Sequence, residues 1–399
     1  MSSDVRDRNR VEIAKVAVGA TFAVNGLAFA GWLARAPAVR NDLHLSPAGF
    51  GLLLLCLSAA AIASIPLAGP LVHRVGPARA VLLGSLSVVL GLVLLGAGAA
   101  LGWVPLAGVG LMFAGAGNST WDVAMNVEGA DVERRLGRTI MPRFHAGFSL
   151  GTVAGAGVGA LAATIGVPVS TQLWVTAVLA TAAQLIIVRR FLPHAAVPAS
   201  QRRPAGIRQT WREPRTLLIG LIMLGFGFTE GSANDWLAIS LVDGYGTSET
   251  LGAIGFGMFV AAMTMGRMFG VHALQRWGRV PVLRATAGLA LIGVLSVVSG
   301  VAVPFALVGA LFWGVGASLG FPVGMSAAAD DPARAAIRVS VAGSIGYAAF
   351  LSGPPLIGFL AQHVGILHAL LVVLAAIALG LYASRAARPL VVEPDHAEV

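Results

Sequence analysis

Residues 47–99 read PAGF GLLLLCLSAA AIASIPLAGP LVHRVGPARA VLLGSLSVVL GLVLLGAGA. Two long apolar runs stand back to back, divided only by a short loop with His73, Arg74 and Arg79. A helix of about 20 apolar residues crosses the hydrocarbon layer of a bilayer. The same alternation of apolar run and short polar break fills the chain. The spans read as 14–36, 47–71, 78–99, 104–129, 143–166, 170–191, 215–240, 250–271, 283–303, 304–326, 338–361 and 366–385. The ninth and tenth are nearly continuous and are divided at Pro304. The expected fold is an all-α membrane protein with twelve transmembrane helices.

Composition agrees. Of 399 residues, 57% are hydrophobic and only 11% are charged, with mean hydropathy +0.82. A soluble domain is about 25% charged. A soluble enzyme, a disordered chain and a fibrous protein are therefore excluded. The net charge of +9 would suggest nucleic acid in a soluble protein. Here the basic residues sit in the short breaks instead. With the N-terminus placed in the cytoplasm, all but Arg35 and Arg40 of the 27 basic residues fall in cytoplasmic segments or helix ends. This bias predicts both termini in the cytoplasm of a cell inner (plasma) membrane protein, with the bilayer as partner and no nucleic acid. Ala28-Phe29-Ala30 imitates a signal-peptide cleavage site, but the run continues to Ala34 and cleavage would leave an odd helix count. Cys56 is the single cysteine, so one chain forms no disulfide and no cysteine metal site.

Residues 193–214 are rich in Pro, Arg and Gln and divide six spans from six. The predicted units are an N-terminal bundle (1–192), a cytoplasmic linker (193–214) and a C-terminal bundle with a short tail (215–399). Faint internal similarity supports duplication. Gly31-Trp32-Leu33-Ala34 resembles Asp235-Trp236-Leu237-Ala238, and Arg74-Val75-Gly76 matches Arg276-Trp277-Gly278 at nearly the same offset.

The 47–99 loop, Gly69-Pro-Leu-Val-His73-Arg74-Val-Gly76-Pro-Ala-Arg79, resembles the marker of the major facilitator superfamily. That pattern has Asp where this chain has His73. The resemblance implies two pseudo-symmetric six-helix bundles around a central cavity, alternating access, no cofactor and a monomer. It implies gating roles for Gly69, His73, Arg74 and Gly76. A narrower resemblance, to YbjJ-type relatives of the fucose:proton symporters, rests on Asn118-Ser-Thr-Trp121-Asp122-Val-Ala-Met-Asn126-Val-Glu128, Phe144-His145-Ala-Gly147-Phe-Ser149-Leu-Gly151 and Glu230-Gly-Ser-Ala-Asn234-Asp235-Trp236.

Acidic residues within spans carry the chemistry. A carboxylate at a helix centre costs roughly 2.5–3.5 kcal/mol on insertion scales, so it tends to face a cavity or a partner. Asn118, Asp122 and Asn126 share one helix face at spacing i, i+4, i+8, as Gly227, Glu230 and Asn234 nearly do. In the resembled fold spans 1, 4, 7 and 10 line the cavity. Asp122 and Glu230 are then the proton-coupling candidates, with His145 as a third group that titrates near neutral pH. Asp122 has a plainer reading as structural partner of Arg143 or His145. Candidate substrate-binding residues are Asn25, Phe29, Trp32, Asn118, Trp121, Asn126, Asn234, Trp236 and Trp313. Aromatic faces and amides suit sugars, and aromatic faces with acids suit cationic drugs equally.

Arg35 with Asp235 is an expected gate or structural pair at one end. Glu133, Arg134, Arg143 and Arg267 are gate candidates at the other. Gly147, Gly151, Gly155 and Gly159 recur every four residues, which predicts close helix packing. No phosphate loop or metal-binding His-Glu-x-x-His motif occurs. The expected function is proton-coupled transport of a small polar, sugar-like solute. The alternatives are a proton-coupled multidrug or metabolite exporter, and a non-transporting membrane sensor.

Overall fold

The computed structural model of the chain describes residues 3–137, 140–193, 207–331 and 334–389. Most of the expected 193–214 linker, Arg138 and the tail beyond 389 lie outside the described residues. Helices follow one another in the order α1 (Ser3–Leu33), α2 (Ala36–Asp42), α3 (Pro47–Val75), α4 (Pro77–Leu101), α5 (Val104–Leu136), α6 (Met141–Thr164), α7 (Val169–Ile187) and α8 (Ile207–Thr210). The second half runs α9 (Pro214–Tyr245), α10 (Glu249–Trp277), α11 (Arg279–Val298), α12 (Val303–Ala317), α13 (Gly320–Ala328), α14 (Ala335–Val364), α15 (Ile366–Ala369) and α16 (Val372–Ala383). Among the described residues no strand occurs.

Eleven stretches are long and apolar enough to cross a membrane. The expected fourth span is α5, 33 residues long, whose polar stripe lowers its hydropathy. The tenth span is one apolar stretch, Val303–Ala328, broken between α12 and α13.

The helices start and stop for local reasons, and the reasons repeat between halves. Ser46 caps α3 by accepting from the Gly49 N–H (3.2 Å), and Ser248 caps α10 by accepting from the Leu251 N–H (3.3 Å). Gly76 closes α3 at φ 82°, and Gly278 closes α10 at φ 79°. Further left-handed corners pair in the same way, each partner about 200 residues on: His44 with Gly246, Gly102 with Gly300 and Gly166 with Gly365. Glycine adopts this region at no steric cost, whereas His44 is the one non-glycine residue in it among those described. The recurrence is the backbone counterpart of the internal sequence similarity between the two halves.

Within the first bundle, α6 packs on α1 through glycine. A Cβ at Gly151 would collide with the Ala23 carbonyl, and one at Gly147 would lie 3.0 Å from the Gly19 carbonyl. Gly157, on another side of α6, has open space. The bundles meet along α3 with α14 and α6 with α10. A Cβ at Gly358 would sit 2.6 Å from the Pro47 carbonyl, and Phe50 meets Trp236 edge to face at 5.8 Å.

Both described chain ends lie on one face of the helix array; we term it the terminal face. On the opposite face two ion pairs join the bundles. Arg40 of α2 pairs with Asp243 of α9, with an Nη2–Oδ1 distance of 2.9 Å. Arg35 lies 3.7 Å from Glu249 at the start of α10. Among the described residues, each ion pair on the terminal face stays within its own bundle. Asp330 takes Arg215 and Arg279, Glu213 takes Arg334 and Arg338, and Asp131 takes Arg134 and Arg135. Burial raises the pKa of Glu213, but hydrogen bonds from Arg338 and Thr216 and the charges of Arg338 and Arg334 outweigh it and leave the value lowered. The protein is thus clasped on the opposite face.

Two outcomes follow from this packing. Gly151→Val should lower stability by about 1–3 kcal/mol, the usual range for overpacking, while Gly157→Val should be near neutral; thermal unfolding in detergent compares them. Arg40→Asp should loosen the clasp by about 0.2–1 kcal/mol, the range for exposed pairs. The swap Arg40→Asp with Asp243→Arg should restore it. Labelling of Ser58→Cys, in a Cys56→Ser background, by a thiol reagent added on the opposite face reads the change.

Candidate functional site

A cavity of about 320 Å³ opens between the bundles. It is walled by α1 (Asn25, Phe29, Trp32), α3 (Ser58, Ile62, Ile65), α5 (Asn118, Ser119, Asp122), α9 (Asn234, Asp235) and α14 (Tyr347, Phe350), with Val88 and Leu92 of α4 behind. The helical stripe on α5 is what aims Asn118 and Asp122 at the same space. The Asn25 amide donates to the Asn118 carbonyl oxygen at 3.1 Å, which ties α1 to α5 at the cavity wall.

Several of the residues expected here are elsewhere. Asn126 lies one turn beyond the cavity and donates to the Asp122 backbone carbonyl (2.8 Å) and carboxylate (3.2 Å). That bond is the described partner of Asp122; neither Arg143 nor His145 takes the role. Trp121, Trp236 and Trp313 are fully buried between helices and do not reach the cavity. Trp313 donates to the Thr229 carbonyl at 3.0 Å and packs edge-on against Phe259. Helix rotation explains two of these. Adjacent helical residues point about 100° apart, so Trp121 turns inward because Asp122 faces the cavity, and Trp236 does so beside Asp235. The tenth span contributes no cavity wall at all; α3 and α14 take that place.

Glu230 also leaves the cavity wall. Both its carboxylate oxygens accept from Arg267 Nη2, at 2.8 and 2.9 Å, joining α9 to α10. Arg267 further donates to the Ser318 carbonyl at 3.3 Å, at the break between α12 and α13. His145 on α6 lies within the field of Arg267 and edge-on to Phe22 at 5.1 Å. The Glu230–Arg267 pair thus joins α9 to α10, and His145 stands on α6, which packs against α10.

Arg35 does not pair with Asp235. Its guanidinium donates to the Val167 carbonyl (3.2 and 3.1 Å) and to Gln172 Oε1 (3.0 Å), and its cross-bundle partner is Glu249. Gln172 in turn donates to the Gly31 carbonyl at 2.9 Å, so Arg35 is held in place by its own bundle. Burial lowers the Arg35 pKa, with Glu249 and Asp42 opposing.

The terminal-face candidates separate too. Glu133 accepts from the Ile140 and Met141 backbone N–H groups, both at 2.7 Å, and so satisfies the free start of α6. Arg134 pairs with Asp131 at 3.1 Å. Arg143, His73 and Arg74 are exposed, Gly69 has no neighbour that a Cβ would meet, and Gly76 forms the α3–α4 corner. Glu128 is buried and accepts from the Leu192 N–H at 2.7 Å, pinning the end of the first bundle to α5. Sequence reading did not find Tyr347, Phe350 and Ser58, because nothing in spans 2 and 11 marks a cavity face, nor Ser119, which stands one residue off the Asn118–Asp122 stripe of span 4. It also did not pair Arg40 with Asp243, whose partners lie in different halves of the chain.

Comparison with known proteins agrees with this architecture. The sequence matches the Major Facilitator Superfamily over residues 17–336. An uncharacterised transporter of Sinorhizobium fredii, y4wD, is 34% identical over 372 residues, which span 90% of this chain and 97% of that protein. Among solved structures, a mutant of the nucleoside transporter NupG superposes with TM-score 0.78 at 14% identity, over 94% of this chain and 99% of that one. A variant of the Escherichia coli fucose:proton symporter FucP superposes with TM-score 0.62 at 15% identity, over 95% and 100%. At such identities the two structures speak to the fold. The family match and the relative together establish that this chain is a member of the major facilitator superfamily, a multi-pass membrane transporter rather than an enzyme.

Proposed function

We propose that the chain is a proton-coupled secondary transporter that moves a small polar, sugar-like solute across the plasma membrane by alternating access. The observation that carries this reading is the cavity between two bundles, with Asp122, three asparagines and four aromatic side chains on its wall. The name of FucP, a fucose:proton symporter, and that of NupG, a nucleoside transporter, lie in the same range of solutes. With both termini in the cytoplasm, the opposite face is the outer one, and the clasp of Arg40 with Asp243 and Arg35 with Glu249 is its gate.

In this reading Asp122 exchanges the proton. Burial favours its neutral form and cavity water its charged form, so occlusion and opening move the proton. Glu230 is paired with Arg267, and the pair couples α9 and α10 to the α12–α13 break. Asn25, Asn118 and Asn234 take solute hydroxyls, and Phe29 and Trp32 take its apolar face. The units 1–192 and 215–399, connected by the linker 193–214, rock as a monomer about this site. Movement of one charge through about 100 mV supplies roughly 2.3 kcal/mol, about a fiftyfold gradient.

A second reading, proton-coupled export of drugs or metabolites, is favoured by the acid and aromatic lining. Proteoliposomes loaded with a pH dye separate the two. Sugar-driven proton entry is expected, and Asp122→Asn should abolish it while leaving solute counterflow. Proton movement opposite to a drug gradient would establish the exporter. Coupling retained in Asp122→Asn would remove Asp122 from the mechanism.

A further inference from the structure

Asp235 is the acid that the rest of the membrane region leaves unmatched. Asp122 has Asn126, Glu230 has Arg267 and Glu128 has the Leu192 N–H. Asp235 has no hydrogen-bond or ion-pair partner among the described residues, yet it lines the cavity beside Asn234. Arg35, the cation expected to meet it, is held by Val167, Gln172 and Glu249. Among the described residues no Arg, Lys or His lines the cavity, so its two carboxylates, Asp122 and Asp235, face no fixed positive charge from them there.

An uncompensated carboxylate is costly to occlude. Positive charge must then arrive with the cargo. One proton neutralises one carboxylate, and a second proton or another cation neutralises the other. The wall suits an organic cation. Phe29, Trp32, Tyr347 and Phe350 present aromatic faces, which attract ammonium groups. The asparagines, with Ser58 and Ser119, offer neutral donors and acceptors for the remainder of the solute.

We infer that the transported solute bears a protonated amine, with Asp235 as its counter-ion and Asp122 as the separate proton site. This rests on the transport reading above and narrows its substrate class. Filled with one ammonium and one proton, the cavity has no net charge and closes readily. With either alone, one carboxylate stays bare and closure is resisted, which makes the two cargoes move together. A volume of about 320 Å³ places the solute at monosaccharide or diamine size, the low end of ligand pockets.

Thermal-shift titration of the purified full-length protein with matched pairs tests this: glucosamine against glucose, putrescine against 1,4-butanediol, and ethanolamine against ethylene glycol. At least one amine should bind about 30-fold more tightly than its neutral partner, the loss typical of removing one side of a desolvated charge pair. Asp235→Asn should erase that preference, with unchanged unliganded melting and elution, and Asp235→Glu should keep it. Equal binding of every pair, binding by no amine, or a preference that survives Asp235→Asn would each overturn the inference. The wild-type comparison alone suffices should Asp235→Asn not fold. Tight binding of glucose without glucosamine preference sinks the amine and leaves the transporter reading intact. Absence of solute-driven proton flux in liposomes sinks that reading instead.

Discussion

A carboxylate inside a bilayer needs a counter-charge, a donor or water, and much of this structure answers that requirement. Glu230 is answered by both oxygens meeting Arg267, Glu128 by a backbone N–H, and Asp122 by a neighbouring amide and the cavity. The first two answers each tie two elements together. The Glu230–Arg267 pair links α9 to α10 and, through the Ser318 carbonyl, to a discontinuity in the tenth span. Glu128 fixes where the first bundle ends. The charges that are costly to bury are therefore also the joints of the fold.

Glycine supplies the complementary constraint. Helices in lipid gain little from the hydrophobic effect between them, so close approach must provide dispersion contacts. The α6 glycines bring backbone against backbone along α1, and Gly51 and Gly358 do the same between the bundles at α3 and α14. These inter-bundle contacts sit towards the clasped face. Small side chains there let two bodies touch over a narrow seam and part without disentangling long side chains.

The fold was largely legible in the sequence because hydrophobic length and loop charge are one-dimensional signals. Most span ends came within four residues, save that α1 begins at Ser3, α5, α9 and α10 continue to Leu136, Tyr245 and Trp277, and α11 ends at Val298. The polar stripe of Asn118 and Asp122 was legible from spacing alone. Trp121 and Trp236 were misplaced because both were chosen by residue type while their acidic neighbours were chosen for the same wall. About 100° on from its acidic neighbour, each Trp turns into the packing between helices instead. Partners across the bundles were not legible. Arg40 finds Asp243 and Arg35 finds Glu249 only after two chain halves close on each other, and no local pattern encodes that meeting. Tyr347 and Phe350 lie in a span whose sequence marks no face.

The clasp also differs in kind from the joints beneath it. Arg40 and Asp243 meet near a helix-loop margin on one face, whereas Glu230 and Arg267 sit well within their helices. Exposed charges are screened over about 10 Å at 0.1 M salt. Ionic strength on that side therefore weakens the Arg40–Asp243 pair more than that of the buried Arg35. The medium bathing that face becomes a control on the balance between closed and open forms, independent of any solute or proton gradient.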